Sequence, residues 1–365
     1  MTSAESLPPE AIALPDAPTD GITALSYLHP TTTGGSAAAS SSSSSLLVST
    51  SFDGCVRIHN TQERKVVLSQ TMESGPLLSL ATPTTTATGG NNGTTTTGTS
   101  MVVATGGADG TIRMLDIDAS VYQIVGRHKS DDDPKRLGCS CLGSFSSTKP
   151  PSLSSDENSS DGGPILLASA GWNGMFHVWD VRMSTAAATL KLPGKAYSMD
   201  IDPIHPYRAV VATAGRRICV VDIRRGGTTT TTTTTMMMND ENNNTHGPNS
   251  NNNKNNSSTA GSSSSEWDAT LALDREVSLK YQIRTVRYFP DGNGIALGST
   301  EGRVAVEFLE ELGLPATMKK YAFKCHRQND TVYPVNCIAF HPLYGTFATG
   351  GCDGTVGKFS WAFFF

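Results

Sequence analysis

The chain has 365 residues, of which 37% are hydrophobic and only 17% charged, with a formal net charge of −5. That acidic balance excludes the basic surface needed for sequence-independent nucleic-acid binding, and no run approaches the ~20 apolar residues that cross a bilayer. The low charge arises from Ser-, Thr- and Asn-rich windows at 31–45, 82–100, 144–163 and 226–265, which lack the apolar content to offset their ordering entropy and are expected to be disordered insertions.

Residues 1–18 form a Pro-rich head with acidic residues, no basic start and no apolar run, so no secretory signal is read there. From 19 to 361 the sequence predicts one repeating domain. Gly21–Leu28 reads as a strand, followed by a hairpin over Leu46–His59, LLVSTSFDGCVRIH. The same grammar returns as Pro76–Leu80 with Met101–Asp116, then Ile165–Asp180, then Tyr197–Ile201 with Ala209–Asp222. It closes with Tyr281–Phe289 and Gly294–Phe308, then Pro334–Phe340 and Gly345–Phe359. Each hairpin has an apolar, β-branched run, a pair of small residues, and a polar turn at Asp53, Asp109, Asn173, Arg216, Glu301 or Asp353. Two period-two strands joined by a turn that tolerates positive φ make a β-hairpin. Strand, loop and hairpin repeating at ~40–45 residues predict an all-β fold, a β-propeller with six legible blades. Window 82–100 falls inside blade two and 144–163 inside blade three, while 226–265 is expected to divide blades four and five.

The seven cysteines, at 55, 139, 141, 219, 325, 337 and 352, include no C-x-x-C pair. They read as reduced thiols of a cytosolic or nuclear protein, mostly buried as small hydrophobes. Cys139 and Cys141 make a poor start for a zinc site, and no metal or cofactor is expected. No Gly-rich phosphate loop, G-x-S-x-G or H-E-x-x-H occurs, so the protein is read as a non-enzyme, with a propeller enzyme as the remote alternative.

Trp179-Asp180 is a lone WD dipeptide, but later stretches are more specific. They are AGRR at 214–217, SLKYQIR at 278–284, EGRVAVE at 301–307 and KYAFKCHR at 320–327, the last assigned to blade six, with YPVN at 333–336. In these the chain resembles the Bub-type spindle-checkpoint WD-repeat adaptors and, closely related to them, the WD-repeat mRNA export factor of the nuclear pore. The resemblance implies a nuclear and mitotic kinetochore protein, also cytoplasmic, that binds an acidic segment of Bub-type kinases and a threonine-phosphorylated motif of the kinetochore scaffold. Ubiquitin binding is a further implied partner; direct nucleic-acid and membrane partners are not expected. The export role, with a nucleoporin segment as ligand, is the alternative. That family has seven blades, and here the outermost strand of blade six and all of blade seven are missing before an aberrant tail at 362–365. Glu10–Leu14 resembles the strand with which the family completes its last blade. The expectation is therefore a truncated sequence.

The residues expected to carry peptide and phosphopeptide binding are Arg284, Arg303, Lys324, Lys280 and Trp172. Arg284 lies near a strand end and Arg303 at a hairpin turn of one blade; Lys324 is read as leading into the next. Clustered guanidinium and ammonium groups suit carboxylate or phosphate. The resemblance implies kinase glutamates on Arg284 and Arg303, and the scaffold phosphate on Arg303 and Lys324. Simpler roles stand beside these: Arg303 as a hairpin cap, Lys280 as a solubilising edge, Trp172 as packing, and His326 and His341 as structural hydrogen-bonders. Phe52 stands where the family has tryptophan, which removes an N–H donor.

Overall fold

A computed structural model describes residues 13–28, 46–73, 75–83, 87–89, 96–98, 101–129, 137–145, 165–205, 207–225, 267–309, 312 and 320–360. They form six antiparallel sheets that are propeller blades, and two short two-stranded ribbons. Blade one orders Ile22–Leu28, Leu46–Ser51, Cys55–Asn60 and Lys65–Thr71 from inside to outside. Blade two holds Leu77–Ala81, Val102–Gly107, Thr111–Asp116 and Val121–Arg127. Cys141–Phe145, Leu166–Ala170, Met175–Asp180 and Ala188–Lys191 make blade three. Blade four is Ala196–Ile201, Arg208–Thr213, Arg217–Arg225 and Trp267–Glu276; blade five is Ile283–Tyr288, Gly294–Ser299, Arg303–Phe308 and Tyr321–Lys324. Three strands, Val335–Phe340, Thr346–Gly351 and Val356–Ser360, form blade six.

The blades stack because their central strands are apolar on both faces. In blade four Ala209 and Val211 join the core shared with blade three, while the alternate Val210 and Ala212 join the core shared with blade five. Period-two alternation thus sends successive side chains to opposite neighbours, and the strand reads as a continuous apolar run. Five such layers fill the interfaces from blade one to blade six. Among the described residues no comparable layer joins blade six to blade one, and Ile22, Leu25 and Tyr27 on blade one's innermost strand are all about half exposed.

Two expectations are corrected. Window 226–265 lies inside blade four, because Trp267–Glu276 pairs along Arg217–Arg225 as the outer strand of that same sheet. Lys320–Lys324 belongs to blade five rather than six: Tyr321–Lys324 is blade five's outer strand. Within window 82–100, Ala87–Gly89 pairs with Thr96–Gly98 as a short ribbon outside the blades. Residues 10–12, the tail at 362–365, windows 31–45 and 226–265, and most of 144–163 lie outside the described residues.

The hairpin turns repeat one piece of chemistry. Asp53, Asp109, Asn173 and Asp353 each accept, on Oδ1, the N–H of the residue two positions on, at 3.0–3.1 Å. Each is followed by a glycine at positive φ, the conformation that a side chain disfavours. Two of these side chains, Asn173 and Asp353, also hold the link arriving from the preceding blade. His326 bonds Asp353 at 2.9 Å and Thr349 at 2.8 Å, both buried, and His341 accepts two local backbone N–H groups; both histidines are structural. In blade three His128 joins Asn173 and Ser169, and Ser169 also accepts the Trp179 indole N–H at 2.8 Å.

Burial and the neighbouring His177 push the His128 imidazole down to about 3, against a weaker upward pull from Asn173; burial pushes His177 down to about 4. Both rings are therefore neutral in the native state, whereas in the unfolded chain they take up protons near 6.5. The unfolded state then binds more protons below that value, so stability is expected to fall as pH drops from 6.5 toward 3–4. Urea unfolding at about pH 7 and about pH 5 should differ by on the order of 1–2 kcal/mol per histidine. Equal stability at the two values would contradict it.

Candidate functional site

In blade five the register runs Ile283↔Ser299 and Arg303↔Lys324. The start of the innermost strand, the hairpin turn, and the end of the outer strand therefore lie at one end of the blade, on one face of the propeller. Arg303 and Lys324 are direct cross-strand neighbours, where like charges destabilise a sheet. Glu301 partly offsets them: its carboxylate lies 3.4 Å from Arg303 Nε, and Arg327 donates to its main-chain oxygen at 3.1 Å. Lys324 is exposed and Arg303 about one-third exposed. The turn that delivers Arg303 requires Gly302 (φ 61), since a Cβ there would meet the carbonyl oxygens of Cys325 and Tyr333 at 2.7 and 2.8 Å.

Arg284 reaches this face by a different device. The register slips between Ile283 and Thr285, making Arg284 the extra residue of a β-bulge, which re-aims its side chain. Its Nε donates to Asn336 Oδ1 at 3.3 Å, and Asn336 sits at the matching slip in blade six. Slips at Thr23, Leu78 and Tyr197 put the same feature near the start of the innermost strand in blades one, two and four. This near-recurrent bulge has no marker in the sequence. Lys280 is exposed on the link into blade five, which Ser278 and Leu279 pin to Glu307 and Arg216.

Trp172 shares the face but lies in blade three. It is half-buried, with its ring so close over Gly138 that a Cβ there would lie 2.5 Å from it, and its N–H donates to Gly138 O. Among the described residues no hydrogen bond or ion pair joins Arg284, Lys280 or Trp172 to Arg303 or Lys324. Arg216 and Arg217 of the AGRR turn are bound to blade four's own outer strand, through Glu276 at 3.1 Å and Asp274 at 2.8 Å. The structure thus brings Arg303 and Lys324 together, adds Arg327 behind Glu301, and leaves the other three as separate points on one face.

The WD domain, G-beta repeat family matches residues 16–60 and 318–357, covering blade one and the end of blade five through blade six. The chain is a WD40-repeat β-propeller. Among its relatives, Mitotic checkpoint protein BUB3.1 of Arabidopsis thaliana is 39% identical over 203 residues, 53% of this chain and 46% of that protein. Mitotic checkpoint protein bub-3 of Caenorhabditis elegans is 30% identical over 261 residues, 70% of this chain and 56% of the relative. The Poly(A)+ RNA export protein of Schizosaccharomyces pombe is 29% identical over 316 residues, 85% and 66% of the two chains. This chain spans about half the length of the checkpoint relatives it matches. Its homologues are thus both checkpoint and export WD-repeat proteins.

Four of this propeller's cysteines, at 55, 139, 141 and 219, are buried as expected, but Cys337 and Cys352 are exposed. Burial pushes the Cys139 and Cys141 thiols up to about 12, which leaves them poor nucleophiles and poor metal ligands. Among the described residues no group of three or more His, Cys, Asp or Glu is placed to hold a metal ion.

Proposed function

We propose that this WD40-repeat protein is a non-enzymatic spindle-checkpoint adaptor, whose blade-five face binds an acidic segment of a Bub-type kinase and a phosphothreonine motif of the kinetochore scaffold. The observation that carries the reading is the Arg303–Lys324 cross-strand pair. Two like charges held side by side cost sheet stability, and a dianionic phosphate with donors on both sides reverses that cost. Arg284 supplies a third cation at the same end of the blade, suited to a glutamate. The names and similarity of the checkpoint relatives support the same reading.

The test compares threonine-phosphorylated and unphosphorylated scaffold peptides by calorimetry. Phosphate should strengthen binding to the wild type. The Arg303→Ala/Lys324→Ala double variant should lose that preference by about 10- to 100-fold, at 1.5–3 kcal/mol for charged hydrogen bonds removed. Its thermal stability should hold or rise, because the like-charge contact is gone. An unchanged preference for phosphate would sink the assignment.

The second reading, an mRNA export factor that binds a nucleoporin segment, is favoured by the longer match to the Schizosaccharomyces pombe export protein. Affinity purification from mitotic cells distinguishes the two: checkpoint-kinase peptides support the first, nucleoporin peptides the second.

A further inference from the structure

A groove of about 500 Å³ opens between the outer strand of blade two and the outer strands of blade three. It is separate from the blade-five face. Arg127, Lys129 and Lys191 line it, with His177 and Trp179 as its aromatic wall, and among the described residues no carboxylate lines it. Among the described residues neither Lys129 nor Lys191 has an ion-pair partner. The Arg127 guanidinium is held on one edge by Thr111 Oγ1, at 2.9 Å from Nε, and its Nη2 lies 3.9 Å from Asp109. Its side chain remains about half exposed. In a protein of net charge −5, three cations lining one groove, with only Arg127 ion-paired among the described residues, form a local field of opposite sign.

His177 makes the groove more than a charged surface. Its Nδ1 lies 3.0 Å from Thr189 Oγ1, while its Nε2 is buried with no partner among the described residues. If the Thr189 hydroxyl donates to Nδ1, the ring carries its proton on Nε2, which is shut off from the open groove, so the ring serves as a fixed neutral wall beside the three cations. The ring cannot slide away, because it is wedged between His128, at 4.7 Å between centroids, and Trp179, at 5.2 Å. Trp179 is itself fixed against Gly126, where a Cβ would lie 2.1 Å from the indole.

From this arrangement we infer that the groove between blades two and three is a second anion site, which binds a phosphate monoester. A guanidinium and two ammonium groups supply more donors than a single carboxylate uses, and they match the three terminal oxygens of a phosphate. The volume exceeds one phosphate and suits a phosphorylated side chain or a small phosphorylated metabolite.

Calorimetry on the full chain tests the site with inorganic phosphate, O-phosphothreonine and a phosphothreonine peptide. With the blade-five site disabled by Arg303→Ala/Lys324→Ala, at least one is expected to bind, with affinity lowered at least about tenfold when Lys129→Ala/Lys191→Ala is added. The His177 imidazole nitrogen resonances should shift on titration in the wild type. Tighter binding of the peptide than of inorganic phosphate identifies a protein source; equal or weaker peptide binding identifies a free phosphate. The chain's own Asp131, Asp132 and Asp133 follow Lys129 closely in sequence. Binding seen only after all three are changed to Asn would overturn the inference, since the groove would then be filled from within. No binding of any probe, or binding insensitive to the lysine pair, would overturn it as well.

Discussion

Glu307→Gln is expected to lower the unfolding free energy of the propeller by about 3–5 kcal/mol, as when one partner of a buried charge pair is removed. Glu307 is 1% exposed. Its Oε1 accepts the Ser278 N–H at 2.8 Å and the Ser278 hydroxyl at 2.6 Å, and its Oε2 accepts from Arg275 Nη1 at 2.6 Å. Every partner is a donor. Whichever way a glutamine amide turns, its NH2 therefore faces another donor, and the replacement strands either the Ser278 groups or Arg275. Burial alone would raise the Glu307 carboxyl, but the Ser278 and Arg275 hydrogen bonds outweigh it and hold the group below its ordinary 4.5.

The sign follows from that depression. The ionised carboxylate stabilises the fold above 4.5, and this contribution is lost as pH falls below that value, where the unfolded chain takes the proton first. Chemical unfolding of wild type and variant at neutral pH measures the effect, and the gap between them should narrow in acid. A variant as stable as wild type would refute it. Because Glu307 ties blade five to Arg275 of blade four and to Ser278 of the link bearing Lys280, the loosened link is also expected to weaken ligand binding at the blade-five face.

Ser169→Ala is expected to cost about 2–4 kcal/mol, since it strands two buried groups at ~1–3 kcal/mol each. Ser169 is fully buried and sits between the Trp179 indole and the His128 ring, 2.8 Å from each. Because His128 is neutral, its Nδ1–H donates to Asn173 and its Nε2 accepts the Ser169 hydroxyl proton, which leaves the serine oxygen to accept from Trp179. Removing one hydroxyl thus breaks the chain that locks blade three's third strand to the end of blade two. Urea unfolding followed by tryptophan fluorescence should show an earlier midpoint with an unchanged slope. An unshifted midpoint would show that the network contributes nothing to stability.

Much of the fold was legible because its central strands are buried on both faces. The runs Val102–Ala104 and Ala209–Ala212 are apolar at every position, and an Asp-Gly or similar turn follows most such strands. Outer strands carry no such mark. Lys65–Thr71 and Val121–Arg127 alternate between exposed and part-buried positions and have a partner on one edge only. For that reason the 226–265 window was assigned between blades rather than within blade four, and Lys324 to the wrong blade.

By itself the sequence determined the repeated hairpin, its turn chemistry, the six-blade count and the cationic residues from 280 to 327. These rest on local rules: period-two patterning, Asp and Gly at turns, and charge in short loops. Only the tertiary structure decided which cations meet. Arg303 and Lys324 are joined by a strand register across a 20-residue gap in the chain, and Arg284 is aimed by a bulge that leaves no compositional trace. Nor could patterning reveal the groove lined by Arg127, Lys129 and Lys191, because that depends on how two separately folded sheets pack side by side.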